Sequence, residues 1–573
     1  MESKTVRRRD LKVTAAGLTG AAIPAAANAG HHEATWGRPH APHHGGHHHQ
    51  CDERCAHSGQ GEARAYAVPP FRFEEWTLAD FRGALDSGEQ SSESITRAYL
   101  ERIEALDRQG PMLRSMLEVN PDALAAAAAA DRARAAARLR SPLHGIPIVI
   151  KGNIDTADRM ATSAGSLALA HGSAPRDAFL VTKLREAGAI LLGKTNLSEW
   201  ANFRSTRSSS GWSGVGGQCG NPFAIDRSPC GSSSGTGAAV SGNLSPIGVG
   251  TETDGSIVCP SAMCGIVGLK PTVGLVSRSG IIPISHSQDT AGPMARTVTD
   301  VALLLGAMTG VDPRDSATTA GADHAGIDYT RFLDARGLQG ARLGVPRKRL
   351  FGYHDLTDKL IEEAITLLKR EGAEVIELPE LPHLGEYDES EYTVLLYEFK
   401  ADLNAYLAAR GGTVEQHSLA ELIAWNERNR ATSMPYFGQE IFVAAEEKGP
   451  LTEQAYLDAL ALDQRLSRAE GIDAVMAEHR LDALIAPTGS PAWPIDLVNG
   501  DHFTGASSSP AAVAGYPNIT VPAGYVFGLP IGLSFFGRAW SEPTLLRLAF
   551  AFEQATRVRK PPRFLPSANL ELG

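Results

Sequence analysis

The pattern of hydrophobic positions between residues 71 and 566 predicts a globular α/β body. Short apolar runs rich in β-branched residues indicate buried strands, and longer amphipathic or Ala-rich stretches indicate helices. The predicted strands are residues 143–150, 189–192, 373–378 and 484–486. The predicted helices are residues 92–106, 121–139, 177–187, 360–370 and 392–409.

This alternation predicts one large domain with a mixed, twisted β-sheet covered by helices on both faces. No internal repeat interrupts the pattern. Residues 310–474 are richer in amphipathic helix. We therefore expect them to form a helical peripheral insertion over one side of the sheet.

The first 29 residues differ from this body and predict an export signal peptide. A basic head at residues 7–12 is followed by a weakly apolar run and by the small-residue site Ala27-Asn28-Ala29. That order is typical of a cleavable signal, and the paired arginines give it a twin-arginine character. Asp10 departs from the twin-arginine pattern, and an Ala-rich helix is the alternative. The prediction is a periplasmic or secreted protein, with the twin-arginine export machinery as a transient partner.

Residues 30–67 form a His-rich segment that separates the signal from the globular body at 68–566. Gly, Pro and Ala fill the gaps between the histidines, so we expect disorder. Imidazoles bind borderline divalent metals, which makes this segment a candidate accessory metal site; the alternative is a solvated spacer. The candidate ligands are His43, His44, His47, His48 and His49.

Charge and cysteine content exclude some classes of function. The net charge of the 573 residues is -11, which argues against nucleic acid as a partner. After the signal no apolar run is long enough to predict a membrane span. None of the six cysteines stands in a redox or zinc-ribbon spacing, so we expect no thiol chemistry. Cys51 and Cys55 could pair, but the connectivity stays open at this point.

A Gly/Ser-rich centre carries the strongest chemical signal. Residues 230–237 and 251–256 flank an apolar segment, which a flexible linker would not enclose. A phosphate-binding loop is one alternative, but the Lys-Ser/Thr ending of a P-loop is missing. A nucleophile elbow is another, with Ser233 as the nucleophile and His286 among the candidate bases. An elbow needs a strand directly before it, and Pro229 interrupts that position.

The same centre resembles the amidase signature family, and within it the bacterial peptide amidases. The resemblance covers about residues 68–562 in order, so the body at 68–566 is expected to be an amidase domain. It is carried by residues 143–153, 192–200, 228–237, 250–260, 268–274, 288–293, 514–517, 520–522 and 528–533.

The resemblance implies a catalytic triad without histidine. It makes Ser256 the nucleophile, Ser232 the bridging serine and Lys151 the base, with no cofactor and no metal in the active site. The spacing of 24 between the two serines matches the family. The family also has a cis peptide bond before the bridging serine. Gly152 departs from the family pattern, which commonly has Asp at this position.

The resemblance also implies an oxyanion hole and a substrate. Backbone N–H groups of the turn Thr253, Asp254, Gly255 and Ser256 are expected to face the carbonyl oxygen. The implied substrate is a small amide or a peptide amide. The predicted reaction converts the C-terminal amide of a peptide to a free acid and ammonia through an acyl-enzyme. Another acylamide, aryl or fatty amide hydrolase is one alternative. A periplasmic metal-binding protein with an inactive amidase-like body is the other.

This chemistry requires an uncharged lysine. A serine hydroxyl needs a base, and a lysine whose free pKa is about 10.4 acts as one only after burial lowers its pKa. The apolar run before Lys151 predicts such burial; a permanently charged Lys151 in an ion pair is the alternative. Lys194 and Lys270 do not align with the family base.

Other conspicuous residues are expected to support the site or the core. Asp289, Thr290 and Arg296 are expected to hold the nucleophile segment. Trp200 and Trp212 are expected to pack in the core, and lining a pocket is the alternative.

Overall fold

The computed structural model describes residues 65–570, and its centre is a sheet of eleven strands. The strands run through the whole described chain, and a separate two-stranded ribbon is formed by β4 and β5. Their bounds are β1 Met116–Val119, β2 Pro147–Lys151, β3 Ile190–Thr195, β4 Trp212–Ser213, β5 Gly217–Gln218, β6 Ile247–Glu252, β7 Val267–Lys270, β8 Thr290–Ala295, β9 Arg342–Pro346, β10 Glu374–Leu378, β11 Ala483–Pro487, β12 Asn518–Val526 and β13 Leu529–Phe536.

The sheet is mixed, as the sequence predicts. Its strand order is β1-β3-β2-β6-β8-β7-β12-β13-β11-β9-β10. Strand β2 pairs in parallel with both β3 and β6, and β9 pairs in parallel with β10 and β11. The remaining pairs are antiparallel. Strands β2, β3, β6, β7 and β8 are buried along their whole length because the sheet is covered on both sides.

Two groups of helices pack on this sheet. The bounds of the helices are α1 Leu78–Ser87, α2 Ser92–Ile103, α3 Ala123–Ala135, α4 Phe179–Ala187, α5 Ser234–Ser241, α6 Val258–Met263, α7 Val298–Met308, α8 Asp355–Arg370, α9 Asp388–Arg410, α10 Leu419–Arg428, α11 Arg430–Ser433, α12 Glu440–Glu446, α13 Gln454–Gln464, α14 Asp473–Glu478, α15 Ser509–Val513 and α16 Glu542–Thr556. One group contains α5 and α6, which contact each other and the central strands. The other group contains α4, α7 and α16, in which α7 contacts both α4 and α16. Strand β12 is contacted from both groups, by α6 and by α16.

Shorter helical turns connect these elements. Two π-helical stretches lie at Glu104–Arg108 and Arg465–Ile472. Turns of 3₁₀ helix lie at Leu167–Leu169, Glu199–Asn202, Ser316–Thr319, Ala322–His324, Tyr329–Phe332 and Gly411–Thr413.

The predicted insertion is only partly helical. Residues 310–474 contain β9 and β10, which belong to the main sheet, so the wholly helical part is confined to α9 through α14. Helix α9 packs against α10, α12 and α13. Its buried Phe399 contacts Phe203 and Phe442 edge-on or tilted, at ring centroid distances of 5.1 and 5.2 Å. This joins the helical region to the segment that follows β3.

Several predicted element bounds shift by a few residues, among them the following three. The strand expected at 143–150 begins at Pro147, because residues 143–146 form a turn closed by Ile146 N–H donating to Leu143 O. The helix expected at 360–370 begins earlier, at Asp355. The strand expected at 189–192 continues to Thr195, which brings it level with Lys151 on β2.

The N-terminal predictions lie outside the described residues. These are the signal peptide at 1–29, the His-rich segment with His43, His44, His47, His48 and His49, and the cysteines Cys51 and Cys55. Among residues 65–570, none of the helices combines the length and the apolar character needed to cross a membrane.

Candidate active site

Three chain segments meet where β2 and β6 end. The parallel pairing of β2 and β6 places their carboxyl ends side by side, with Ile150 opposite Val249. Lys151 is the last residue of β2, and the turn that carries Ser256 follows β6. Ser232 lies just before α5, the helix that crosses back between these two segments. The sheet therefore brings together residues that are up to 105 positions apart in the sequence.

Lys151 is fully buried and bonded only to neutral oxygens. Its Nζ lies 2.7 Å from Ser232 Oγ, 2.8 Å from Thr251 Oγ1 and 3.2 Å from Thr251 O. No carboxylate lies within ion-pair distance of it in the described part of the chain. Burial lowers the pKa of Lys151 to about 7, against the opposing charges of Asp289 and Glu252. A neutral amine fits this site, because it can donate two N–H groups to Thr251 and accept the Ser232 proton.

The two serines differ in solvent exposure. Ser232 is completely buried, and its preceding peptide bond with Gly231 is cis. Ser256 is also buried but keeps 6 % of its surface exposed. Its carbonyl oxygen accepts the N–H of Ser233 at 3.1 Å, which ties the two segments together. Within the described residues the Ser232 and Ser256 hydroxyls form no hydrogen bond with each other.

A disulfide provides a covalent tie between the same segments. Cys230, two residues before Ser232, is bonded to Cys259, three residues after Ser256. Sequence patterns left the pairing of the cysteines open. Cys219 and Cys264 are free and buried.

The turn before Ser256 is shaped by Glu252 and by one glycine. The Glu252 carboxylate accepts N–H groups from Gly255, Ile257 and Val258 at 3.0, 2.7 and 3.0 Å. Gly255 has a φ of +78°, a conformation that favours glycine. The expectation that Gly255 N–H faces the oxyanion needs correction, because this N–H is already donated to Glu252. In residues 65–570 the N–H groups of Asp254 and Ser256 have no protein acceptor.

Asp289 supports this turn as predicted, whereas Arg296 does not. Asp289 accepts the Thr253 hydroxyl at 2.6 Å and the N–H groups of Ile284 and Ser285. Burial raises the pKa of Asp289 to about 6. Thr290 holds the segment through strand pairing with Glu252. Arg296 instead donates to carbonyls of three other segments, at Val240, Ser245 and Trp76.

The nucleophile-elbow hypothesis is wrong in this structure. Ser233 is buried and exchanges hydrogen bonds with the backbone of Thr251, donating to its carbonyl and accepting its N–H. His286 contacts two carboxylates instead, with Nδ1 2.8 Å from Asp402 and Nε2 3.2 Å from Glu398. Burial alone would lower the pKa of His286, but the Asp402 hydrogen bond and the Glu398 charge raise it.

The same His286 cluster has the spacing of a metal site within the described residues, with ligand atoms of His286, Glu398 and Asp402 within 4.8 Å of one another. Glu398 already accepts hydrogen bonds from Ser285, Ser287 and Tyr456. The cluster therefore has a sufficient structural explanation as a hydrogen-bonded group.

Other conspicuous residues are buried in the core, as predicted for Trp200 and Trp212. Lys194 donates to Thr162 Oγ1 and Lys270 to Tyr516 O. Burial lowers the pKa of each to about 8, so a lowered pKa alone does not single out the base. Trp200 packs edge-on against Phe442, and Trp212 packs against Tyr436 and Phe437.

Gly152, where the family commonly has Asp, occupies a tight position. A Cβ atom there would lie 2.5 Å from Leu117 Cδ1 and 3.0 Å from Thr195 O. Its own N–H donates to Thr195 O at 3.0 Å.

Two cavities flank the site. One of about 250 Å³ is lined by Gly231 and Gly255, the residues immediately before the two serines. The other, of about 330 Å³, is lined by Asn153, Thr251 and Thr253 on the side of the lysine. The first cavity lies beside the turn that carries Ser256.

Sequence reasoning missed three features that build the site. Thr251 orients Lys151, Glu252 shapes the nucleophile turn, and the Cys230–Cys259 disulfide connects the serine segments. Thr251 and Glu252 lie within residues 250–260, one of the stretches that carry the family resemblance. Two polar residues so close to Ser256 could have been recognised as candidates for supporting the site. The disulfide had a weaker signal, namely one cysteine next to each serine.

Comparison with known proteins gives a consistent assignment. A family model described as Amidase matches residues 94–546. A peptide amidase from Stenotrophomonas maltophilia, known from a crystal structure, has 54 % sequence identity and a TM-score of 0.83, with 86 % of this chain and 100 % of that chain covered. A crystal structure of the peptide amidase PAM in complex with the competitive inhibitor chymostatin is also similar to this chain. Its TM-score is 0.84.

Relatives at lower identity point the same way. A probable amidase of Arabidopsis thaliana is 42 % identical, with 86 % of this chain and 93 % of the relative covered. An amidase family protein of Bacillus anthracis, known from a crystal structure, is 38 % identical at a TM-score of 0.77, with 85 % of this chain and 92 % of that chain covered. From its motifs, its fold and these relatives, the chain belongs to the amidase signature family and is a hydrolase of the amidase type.

Proposed function

We propose that the protein hydrolyses the C-terminal amide of peptides to a free acid and ammonia. The observation that carries this proposal is the buried Lys151 amine, 2.7 Å from Ser232 Oγ and without a carboxylate partner in the described chain. The substrate class rests on the 54 % identity to peptide amidases over 86 % of the chain. The acyl amide alternatives share the chemistry and differ only in the acyl group.

The proposed reaction moves one proton along three groups. Neutral Lys151 accepts the proton of Ser232, and Ser232 accepts the proton of Ser256 as its oxygen attacks the amide carbonyl. The proton then returns along the same path to the leaving nitrogen, the C–N bond breaks, and ammonia departs. Water adds to the resulting ester in the same way and releases the acid and free Ser256.

Backbone N–H groups would stabilise the oxyanion formed in both steps. We assign this role to the N–H groups of Thr253, Asp254 and Ser256, with Gly255 excluded by its bond to Glu252. One such donor is typically worth about 2.7–4 kcal/mol in the transition state. No cofactor or metal is assigned to this chemistry.

The export prediction becomes part of this proposal. Disulfides persist in oxidising compartments and are rare in the cytosol. The Cys230–Cys259 bond therefore supports export of the folded body by the signal at residues 1–29, with 30–67 as a His-rich spacer before the amidase domain at 68–566. Cell fractionation tests it: changing Arg7 and Arg8 to Lys should leave the protein in the cytoplasm. Periplasmic or secreted protein in unchanged amount would reject the twin-arginine route.

The inactive-body alternative is less favoured, because Lys151, Ser232 and Ser256 are all present and the first two are bonded. Ammonia release from peptide amides, amino acid amides and simple acyl amides tests the proposed function. We expect the peptide amides to have the highest kcat/KM and Ser256→Ala to abolish turnover. A Ser256→Ala variant that still releases ammonia at the normal rate would refute the proposal.

A further inference from the structure

The cavity beside the two serines has an apolar wall that no catalytic residue requires. The cavity is lined by Gly231, Gly255 and the Cys230–Cys259 disulfide. Trp493 and Phe503 line the same cavity, and their rings meet edge-on at a centroid distance of 5.7 Å. A side chain of the substrate that entered this cavity would contact sulfur and aromatic carbon. Such surfaces favour large apolar groups.

The aromatic wall belongs to an irregular loop between β11 and α15. The first part of this loop is held by backbone bonds, since Ser228 N–H donates to Trp493 O and Ile495 N–H donates to Asp226 O. These bonds fix the main chain of Trp493. They leave the direction of its indole ring and the far part of the loop to other contacts.

Asp501 supplies those contacts. One carboxylate oxygen accepts the indole N–H of Trp493 at 3.0 Å, and the other accepts the backbone N–H of Ser210 at 2.9 Å. Asp501, Trp493 and Ser210 all line the cavity. A single carboxylate thus connects the loop to the segment that carries Ser210 and holds the indole N–H of Trp493.

We infer that Asp501 is a positioning residue that shapes the pocket for a large apolar side chain next to the scissile amide. The inference rests on the proposed function for its substrate class and deepens it. Without the carboxylate the indole N–H would be buried without an acceptor, which costs enough free energy to make the ring turn away. Loss of the Ser210 bond would release the loop, so that the wall would contact a large side chain less closely. A small side chain would not be affected, because it does not reach the wall.

The test compares two substrates with two variants of the full-length enzyme. The substrates are N-acetylglycyl-phenylalaninamide and N-acetylglycyl-alaninamide, assayed by ammonia release. Asp501→Asn keeps the shape but can accept from only one of the two donors, and Trp493→Phe keeps an aromatic ring but removes the indole N–H. We expect Asp501→Asn to lower the kcat/KM ratio of the phenylalanine to the alanine substrate about tenfold, mainly through KM. Trp493→Phe should lower it in the same direction.

The controls separate positioning from general damage. Asp496→Asn changes a carboxylate on the same loop that does not line the cavity, and it should leave the ratio unchanged. The double variant Asp501→Asn, Trp493→Phe should lower the kcat/KM ratio by less than the product of the two single fold-changes. The reason is that both substitutions affect the same Asp501–Trp493 hydrogen bond. If Asp501→Asn does not fold, Trp493→Phe decides alone.

Two outcomes would overturn the inference: a ratio that stays within twofold of the wild type in both variants, or an equal loss for both substrates. The proposed function fails separately, if the wild type releases no ammonia from either peptide amide. In that case 3-phenylpropionamide and propionamide replace the peptide pair. The same loss of ratio is then expected for the larger acyl group, and an unchanged ratio would again refute the role of Asp501.

Discussion

At the scale of single residues, the contacts of a buried lysine determine what it can do. Lys151, Lys194 and Lys270 are all buried, and burial lowers the pKa of each, to about 7, 8 and 8. Only Lys151 contacts a serine hydroxyl that lies beside a second, partly exposed serine. The lowered pKa makes the amine able to accept a proton, and the contact with Ser232 determines which proton it accepts.

The proposed relay predicts that its three members fail as one unit. Lys151→Met, Ser232→Ala and Ser256→Ala should each lower kcat by about 10⁴-fold or more, because each interrupts the same proton path. Double variants should be little worse than the single ones. Steady-state ammonia release measures this, and additive losses would show that the residues act independently.

Thr251 should matter through its hydroxyl. Its Oγ1 lies 2.8 Å from Lys151 Nζ and also accepts from Asn153 at 3.0 Å. Thr251→Val removes this acceptor with little change in side-chain volume. The Lys151 amine then loses one of the two hydrogen bonds to Thr251 that orient it. We expect a loss of about 10- to 100-fold in kcat with little change in KM. Thr251→Ser is the matched control, and a loss as large as that of Val would contradict the assigned role.

Gly152 should not tolerate the aspartate common in the family. Its Cβ would lie 2.5 Å from Leu117 Cδ1, so Gly152→Asp should lower the free energy of unfolding by about 1–3 kcal/mol through overpacking. Chemical denaturation measures this loss. A second substitution, Leu117→Ala, removes the clashing atom. Gly152→Asp should therefore lower the free energy of unfolding by less in the Leu117→Ala background than in the wild type. A Gly152→Asp variant as stable as the wild type would contradict the packing observed here.

At the scale of elements, the disulfide connects two segments that secondary structure holds only indirectly. It closes a loop of 29 residues between Cys230 and Cys259. Cys259→Ser should lower the free energy of unfolding by about 3–4 kcal/mol and also lower kcat, because it frees the Ser232 segment from the Ser256 segment. Cys264→Ser, at a buried free cysteine, is the matched control. Equal activity in the wild type and Cys259→Ser would show that the tie is dispensable for catalysis.

Sequence patterns predicted four strands of the sheet and missed, among others, strands whose apolar run is interrupted by glycine or proline. Strands β2, β3 and β11 were predictable because each contains three or more consecutive aliphatic residues, and β10 contains the pair Val375-Ile376. Strand β8 contains Gly292 and Pro293, and β13 contains Pro530 and Gly532. Both residue types are disfavoured in strands on local grounds. Here the packing of neighbouring strands and helices outweighs that local preference.

At the scale of the whole molecule, the site depends on contacts between distant segments that no local pattern encodes. The family motif was enough to propose Lys151, Ser232 and Ser256 as the catalytic residues. It could not show that Gly255 N–H is taken by Glu252, nor that Asp501 reaches Trp493 and Ser210. These contacts follow from how the loops lie across the sheet.

Buried ionisable groups predict an unusual pH dependence of stability. Burial raises the pKa of Asp289 and Asp300 to about 6, and of Glu199, Asp463 and Glu553 to about 7. Since these values exceed the unfolded ones, the folded state binds more protons, and the resulting stability is lost as pH rises through 6–7. The buried lysines have the opposite effect on stability. Their lowered pKa values destabilise the folded state in acid, and this destabilisation diminishes as pH rises above the pKa of each lysine in the folded state.

The free energy of unfolding should therefore fall from pH 5 to pH 7 and rise again from about pH 8 to 9.5. Chemical denaturation at each pH measures it. Glu553→Gln keeps an acceptor for the Val298 N–H but cannot titrate, so it should reduce the fall. Stability that increases steadily from pH 5 to pH 7 would contradict these protonation states.

The measurement that tests the central claim most directly is the pH dependence of kcat/KM for a peptide amide. An amine base with a pKa of about 7 is charged and inactive in acid, so kcat/KM should rise tenfold per pH unit below 7 and level off above it. A rate that is constant between pH 5 and pH 9, or that falls as pH rises through 7, would contradict an uncharged Lys151 as the base.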